Sequence, residues 1–323
     1  MGQTAWGWLT VIYLFLSGLG AGTFLTAAFF ELSGWRYERD YSPTCLTGAT
    51  VSGPMVALGS LLLIFDLGAG KLQPWRILHM FTHFRSVMTW GIWILSIFIP
   101  LGLIYGLLEL IEVEPFIRGL AQAWLRPKVR SCRRLVAIVG SIFAVGTAVH
   151  TGVLISAVGP AVPLWSQPLL PFLPVPLLPV LFLILAISTG LGLSFDLTAT
   201  IALRGIHEQT RSLRSVQVRI MSLIRIILIS LETVLITLLF ISALNAGGAA
   251  AESARLVLYG SFSVVFWVGV VLIGLVCPFL IYAYVIGVGH QPLLLGLISG
   301  LGVMIAGLSL RYLIIAAGIP AFL

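Results

Sequence analysis

Residues Trp6–Phe30 read WGWLTVIYLFLSGLGAGTFLTAAFF, a stretch of the chain without a single charged side chain. A helix needs about 20 apolar residues to cross the hydrocarbon core of a bilayer, which is roughly 30 Å thick. None of the apolar runs alternates polar and apolar residues with a period of two, so a β-barrel is not expected. The sequence therefore predicts an all-α integral membrane protein with eight transmembrane helices, at about 6–30, 44–65, 87–110, 135–158, 176–203, 220–246, 256–286 and 293–317.

The composition of the 323 residues agrees with this class, because 59% are hydrophobic and only 9% are charged. No loop is long enough for a separate soluble domain, so we expect residues 1–323 to form a single transmembrane domain. The start MGQTAW has no basic segment, so the first run is not expected to be a cleaved signal peptide. The net charge of +7 comes from short loops between the runs and does not indicate a nucleic-acid partner.

Lysine and arginine residues predict the orientation, because cytoplasmic loops carry an excess of them. Five lie on one side: Lys71, Arg76, Arg85, Arg255 and Arg311. Twelve lie on the other side: Arg36, Arg39, Arg118, Arg126, Lys128, Arg130, Arg133, Arg134, Arg204, Arg211, Arg214 and Arg219. We therefore expect the second side to be cytoplasmic, with both termini and the Phe65–Ser86 loop outside.

The cysteine and histidine residues do not form a recognisable metal or haem site. Three cysteines, Cys45, Cys132 and Cys277, have no CxxC spacing, so no iron–sulfur or zinc ligand set is expected. A membrane b-type haem usually needs two histidines within facing helices. Only His150 lies within a predicted span, whereas His79, His83, His207 and His290 lie in or beside loops. We expect no haem, iron–sulfur cluster or metal in this chain.

The glycine-rich sequence GLGAG, at Gly18–Gly22, has some likeness to a phosphate-binding loop. It lies in the middle of a predicted span, however, and no strand precedes it. Gly18 and Gly22 form a GxxxG pair, which is typical of close packing between membrane helices. We expect packing and not nucleotide binding here.

Ionisable residues within the spans are functional candidates because burying a charge in a membrane is costly. An outer group is predicted from helix depth, and it consists of Asp66, His150, Arg311, His83 and Trp90. His150 suits proton exchange with a redox ligand, since an imidazole titrates near neutral pH. A hydrogen bond between helices is the alternative explanation of His150.

A second group of ionisable residues lies deeper toward the predicted cytoplasmic side and consists of Glu232, Arg225, Asp196 and Glu109. These residues are candidates for a proton route. Two structural explanations stay open: Glu232 would only neutralise Arg225, and Asp196 and Glu109 would only lie near an interface.

Several motifs in one order resemble the NrfD/PsrC family, the polysulfide reductase NrfD-like membrane subunits. They are WGWLTVIYLFLSGLGAG, FDLG followed by PWRI and FRSVMTWGIW, then HTGVLISA, PLW, LPVLFLILAISTG, the buried Glu232 and RYLIIAAG. The resemblance covers nearly the whole chain. It implies two four-helix bundles without haem and a site near the outer surface that exchanges electrons with menaquinone or ubiquinone.

The resemblance also implies partners and a location. We expect a ferredoxin-like iron–sulfur subunit with four clusters at the outer face, and through it a molybdopterin or multihaem cytochrome subunit. The chain would then be an anchor without a catalytic centre of its own, in the cytoplasmic membrane of a bacterium or archaeon. Two other interpretations stay open, a secondary transporter for a small anion and a purely structural anchor.

The resemblance assigns roles to particular residues near the outer surface. Many relatives have Tyr-Thr-Gly where this chain has His150-Thr151-Gly152, so His150 is expected to bond a quinone oxygen. Asp66 matches the acid of FDLG and would pass protons to outer water, as would His83. The usual Arg-Pro after it is replaced by Ala69-Gly70. The cations of the outer loop, Lys71, Arg76 and Arg85, are expected to contact the iron–sulfur partner.

Overall fold

The computed structural model describes residues 6–38, 41–66, 81–113, 128–159, 161–170, 172–203, 215–289 and 292–321. Eight helices in these ranges are long and apolar enough to cross a membrane. The prediction of an all-α integral membrane protein with eight spanning helices is confirmed. The helices are α1 (Trp8–Leu32), α2 (Trp35–Glu38), α3 (Ser42–Asp66), α4 (Val87–Val113), α5 (Val129–Ser156), α6 (Leu177–Leu203), α7 (Ser215–Ala246), α8 (Gly248–Leu258), α9 (Cys277–Val288) and α10 (Leu293–Ala316).

A short hairpin and a turn connect α5 to α6. A 3-10 turn (Pro163–Ser166) is followed by β1 (Pro168–Leu170) and β2 (Leu173–Pro176), which pair antiparallel. The fifth spanning helix is predicted at about 176–203, and the structure begins it at Leu177.

The seventh span differs most from its predicted range of 256–286. The first residues of that range belong to α8, and the membrane-spanning part consists of a π-helix (Val265–Val276) that continues into α9. Pro278 is the second residue of α9 and has no N–H to donate to the preceding turn. Local π adjustments are one way in which membrane helices satisfy the backbone groups that a proline frees. The break between α7 and α8 falls at Gly247, whose φ of 71° is in the region that favours glycine.

Each spanning helix packs against two or more other helices. Helix α1 packs against α3 and α5, and α4 packs against both α3 and α5. Helix α10 packs against α6, the π-helix and α9, while α7 packs against α6 and α9. Helix α6 also contacts α1, α3 and α5, so the contacts do not separate into two independent groups. The division into two four-helix bundles stays a prediction.

The GLGAG segment is a packing surface. A side-chain Cβ on Gly22 would overlap the backbone carbonyl of Ala186 in α6, and one on Gly190 would overlap the backbone of Gly22. The two backbones therefore touch where α1 crosses α6, which is the close approach that small residues permit in membranes. A Cβ on Gly18 would lie 2.5 Å from Nη2 of Arg311. The predicted role of this pair in packing is what the structure shows.

Aromatic contacts place the start of α1 and the end of α10 at the same end of the helices. Trp8 stacks on Tyr312 with ring centroids 4.4 Å apart. The ring centroids of Trp6 and Trp165 are 5.7 Å apart. The indole N–H of Trp165 donates a 2.7 Å hydrogen bond to the carbonyl of Ile314. Which side of the membrane this end faces stays a prediction from the charge distribution.

Candidate functional site

His150 lies near the C-terminal end of α5, at its contact with the start of α4. Only 8% of the residue is exposed. Its Nε2 lies 3.0 Å from the backbone oxygen of Val87. The imidazole occupies the space above Gly91, because a Cβ there would lie 2.6 Å from Nδ1 and closer still to Cε1 and Nε2. A helix-to-helix hydrogen bond and a missing side chain therefore fix the position of the ring.

The segment before α4 is attached to the helix by two tryptophans. The indole of Trp90 donates a 3.0 Å hydrogen bond to the carbonyl of Phe84, and that of Trp93 donates one of 3.3 Å to Phe81. Both tryptophans have exposed rings, as does His83, whose Nδ1 lies 3.3 Å from the Thr82 hydroxyl. Trp90 and His83 thus lie on the surface, in and before the first turn of the helix whose Val87 contacts His150.

The other residues predicted for the outer end are described only in part. Asp66 is the last residue of α3, and its side chain lies outside the described parts of the structure. Lys71 and Arg76 fall outside the described residues altogether. Arg85, the third predicted partner contact, is exposed next to the start of α4.

Arg311 has neighbours that differ from those predicted for it. The side chain is fully buried, and Nη1 donates a 2.9 Å hydrogen bond to the carbonyl of Gly307. The guanidinium lies 5.1 Å from the ring centroid of Phe182 in α6 and 5.8 Å from that of Phe15 in α1. Its charged neighbour is Glu232 of α7. The structure thus places Arg311 with Glu232, a residue of the deeper predicted group.

Glu232 is only 2% exposed. Its carboxyl group is hydrogen-bonded to the Ser188 hydroxyl and interacts electrostatically with Arg311. Within the described part of the chain, no ion pair of 4.0 Å or less joins Glu232 to Arg225 or to Arg311. One oxygen of Glu232 and two nitrogens of Arg311 also have no hydrogen-bond partner there. Glu232 and Arg311 are therefore buried electrostatic neighbours without a direct ion pair.

Arg225 has its own partners, so the idea that Glu232 serves only to neutralise it does not fit. Its Nη1 donates to the hydroxyl of Tyr282 in α9, and its Nη2 donates a 3.1 Å hydrogen bond to the carbonyl of Leu191. The guanidinium also lies 5.2 Å from the ring centroid of Phe195. Asp196 follows in α6, and its side chain lies outside the described parts.

Glu109 belongs to a buried cluster of charges at the end of the helices opposite His150. We call this the five-charge cluster, and it consists of Glu31, Arg36, Glu109, Glu112 and Arg133. Arg36 Nη1 lies 2.5 Å from Glu109 Oε1. Arg133 Nε lies 3.1 Å from a carboxyl oxygen of Glu31 and 3.6 Å from one of Glu109, and its Nη1 contacts Glu112. These ion pairs join α1, α2, α4 and α5, and Glu109 is separate from the Glu232 and Arg225 sites.

The sequence predicted a role for Arg36 and Arg133 only in the orientation of the chain in the membrane, and it predicted none for Glu31. Burial of Arg36 opposes its charge, but the attraction and hydrogen bond of Glu109 outweigh this effect, so the pKa of Arg36 is raised. A signal existed in the sequence, since Glu31, Glu109 and Arg133 lie close to the same predicted membrane boundary.

Among the residues that the structure describes, no three His, Cys, Asp or Glu side chains are placed to hold a metal ion. The described residues form a polytopic α-helical membrane protein whose buried polar groups lie at several separate places between the helices. Its sequence matches the profile of the family described as polysulphide reductase, NrfD, over residues 1–322. The chain belongs to this family.

Individual relatives agree with the family assignment. The chain is 31% identical to the C subunit of polysulfide reductase from Wolinella succinogenes, over 97% of this chain and 94% of that protein. It is 29% identical to protein NrfD of Escherichia coli, over 97% and 94%. A protein NrfD homolog of Haemophilus influenzae is 28% identical over 87% and 84%. These relatives indicate a membrane subunit of a respiratory oxidoreductase complex, in the bacterial cytoplasmic membrane.

Proposed function

We propose that this chain is the quinone-reactive anchor of its complex and exchanges electrons between the quinone pool and an iron–sulfur partner subunit. The observation that carries this proposal is His150. A histidine held by one hydrogen bond, at the end of a span and with a small exposed fraction, can contact a ligand that enters from the lipid. Quinone sites need few polar groups within an apolar pocket.

The quinone supplies the redox chemistry in this proposal, and the chain positions it. His150 would bond one oxygen of the quinone head, and Asp66 and His83 would pass protons to water. Trp90 would border the pocket. Arg85, Lys71 and Arg76 would contact the partner subunit, which carries the electrons onward to a molybdopterin or multihaem subunit. The relative from Wolinella is named as one subunit of a polysulfide reductase, which supports a complex of several proteins.

Purification in mild detergent tests the proposal directly. We expect the chain to elute with an iron–sulfur subunit, and the complex to couple quinol or quinone turnover to those clusters. His150→Leu should lower quinone-linked turnover at least tenfold, because the polar contact to the substrate is lost. Ser141→Ala is a matched control on the same helix, since its hydroxyl donates a hydrogen bond to the carbonyl of Ala137 within that helix. Equal turnover in both variants and the unchanged complex would contradict the role of His150.

Glu232 and Arg311 support an additional proposal, a proton route through the second half of the chain. Both are buried at the junction of α1, α6, α7 and α10, and both keep polar atoms without a partner in the described residues. Glu232→Gln should therefore reduce the number of protons moved per electron in vesicles that contain the complex. Unchanged proton stoichiometry and unchanged turnover would exclude this route.

A further inference from the structure

Helix α5 begins with a group of exposed basic side chains. Lys128 directly precedes the helix, and Arg130 and Arg134 lie in its first two turns. All three residues are exposed, and we call them the α5 basic group. The sequence from Lys128 to the end of α5 contains no Asp or Glu. The surface at this end of the helix is therefore positively charged.

The nearby carboxylates are largely neutralised by other residues. Those of the five-charge cluster are held by the two buried arginines Arg36 and Arg133. Arg134 lies at the edge of that cluster, with its Nε 3.8 Å from Oε1 of Glu31 and about half of its side chain exposed. An ion pair with so much exposure is weak because water screens it. The charge of Arg134 is thus available to an anion outside the chain.

An apolar face of α5 continues from Arg134 into the membrane. Leu135, Ile138 and Ile142 are largely exposed, and their spacing of three and four residues places them on one face of the helix. They belong to a segment that is long and apolar enough to cross a membrane, so this face contacts acyl chains. Arg134 lies one turn before Ile138, and helical side chains tilt toward the N-terminus. The guanidinium therefore lies at the end of the apolar face, where lipid headgroups begin.

We infer that the α5 basic group and this apolar face together bind an anionic phospholipid. The phosphate contacts Arg130 and Arg134, and one acyl chain lies along Ile138 and Ile142. A guanidinium group donates two parallel hydrogen bonds to phosphate oxygens, and the opposite charges strengthen them. Basic residues next to a membrane helix attract anionic lipids in the same way. A free phosphate ion would use only the arginines, whereas a phospholipid uses both features.

Arg219 at the start of α7 provides a comparison. Among the described residues on the predicted cytoplasmic side, it is the remaining exposed basic residue. Its Nη2 would lie 3.1 Å from a Cβ on Gly289, which follows α9, so it is beside a different helix. The α5 basic group instead places three cations within seven residues. The attraction of an anionic lipid increases about fivefold for each basic residue, so the start of α5 is the stronger site.

Photolabelling of the complex with lipids tests this inference. The complex is placed in nanodiscs of phosphatidylcholine with a trace of phosphatidylglycerol that carries a diazirine in one acyl chain. Phosphatidylcholine with the same modified chain is the reference probe, and labelled residues are identified by mass spectrometry of peptides. We expect the anionic probe to label residues 135–142 at least fivefold more strongly than the reference probe. Equal labelling by the two probes would overturn the inference.

Variants of the basic residues separate charge at this site from the total charge of the chain. Arg130→Gln combined with Arg134→Gln should lower labelling of α5 by the anionic probe to the level of the reference probe. Arg130→Lys combined with Arg134→Lys keeps both charges and should leave labelling within threefold. Arg219→Gln is the matched control and should leave labelling of α5 within twofold. Full labelling of the double glutamine variant would contradict the proposed site.

Two further outcomes distinguish other occupants of this surface. An excess of inorganic phosphate should leave labelling unchanged, and its loss would mean that the arginines bind free phosphate instead. A lack of labelling of residues 135–142 by either probe would mean that another protein, or a second copy of the chain, covers this face. Each of these two results would refute lipid binding here. None of the measurements depends on quinone turnover, so the inference stands or falls independently of the proposed function.

Discussion

Replacement of Arg133 by alanine is the most direct test of the five-charge cluster. Arg133 is fully buried and contacts Glu31, Glu109 and Glu112. Its removal leaves buried carboxylates without part of their compensation. Breaking a buried ion pair in this way typically costs about 3–5 kcal/mol. We expect a destabilisation of that size.

The adjacent Arg134 provides a matched control. Its side chain is 49% exposed, and its Nε lies 3.8 Å from Oε1 of Glu31. Arg133→Ala and Arg134→Ala change the net charge equally. The difference in stability between the two variants therefore reports the effect of burial. An exposed ion pair contributes only about 0–1 kcal/mol because water screens it.

Thermal unfolding in detergent can be followed with a thiol-reactive dye. Cys45 is fully buried, and it becomes the only reporter when Cys132 and Cys277 are replaced by serine. At about 2 °C per kcal/mol, Arg133→Ala should lower Tm by roughly 6–10 °C. Arg134→Ala should lower it by at most about 2 °C.

Two results would refute this account of the cluster. One is an equal fall in Tm for the two arginine variants, which would mean that burial does not matter. The other is a failure of Glu31→Gln to recover part of the Tm lost in Arg133→Ala, since the double variant removes one of the carboxylates left without compensation.

Three further substitutions test contacts between helices with the same dye assay. Gly22→Ala should destabilise by about 1–3 kcal/mol, because its Cβ would overlap the Ala186 carbonyl; an unchanged Tm would show that α1 and α6 can separate freely. Trp165→Phe removes a 2.7 Å hydrogen bond to α10 and should cost about 1–2 kcal/mol. Tyr282→Phe removes a buried partner of Arg225 and should cost about 1–3 kcal/mol. If Tyr282→Phe leaves Tm unchanged, the backbone carbonyls alone are sufficient as hydrogen-bond partners of Arg225.

The positions of the helices could be predicted almost entirely from apolar runs. A span must be about 20 residues long whatever it packs against, so its position is a local property of the sequence. The exception was the seventh span, whose predicted range of 256–286 contains the end of α8, a π-helix and most of α9, with Pro278 at the start of α9. Such breaks depend on how the backbone hydrogen bonds are rearranged, and hydrophobicity does not report that.

The candidate site could be predicted only in part. His150 was recognisable because it is the one histidine in a span, but its partners Val87 and Gly91 were not, since a backbone carbonyl and a missing side chain carry no chemical signal in sequence. Glu232 was predicted next to Arg225, seven residues away on the same helix. The structure places it instead with Arg311, which comes from another helix.

The sequence by itself determined that the chain is a membrane protein, which segments span the bilayer and that charged residues lie within those segments. These properties follow from the cost of transferring polar groups into hydrocarbon, which each segment meets on its own. Only the tertiary structure decided which charges meet. The pairing of Glu109 with Arg36 depends on how α2 and α4 are rotated and aligned, and those quantities are set by packing between helices.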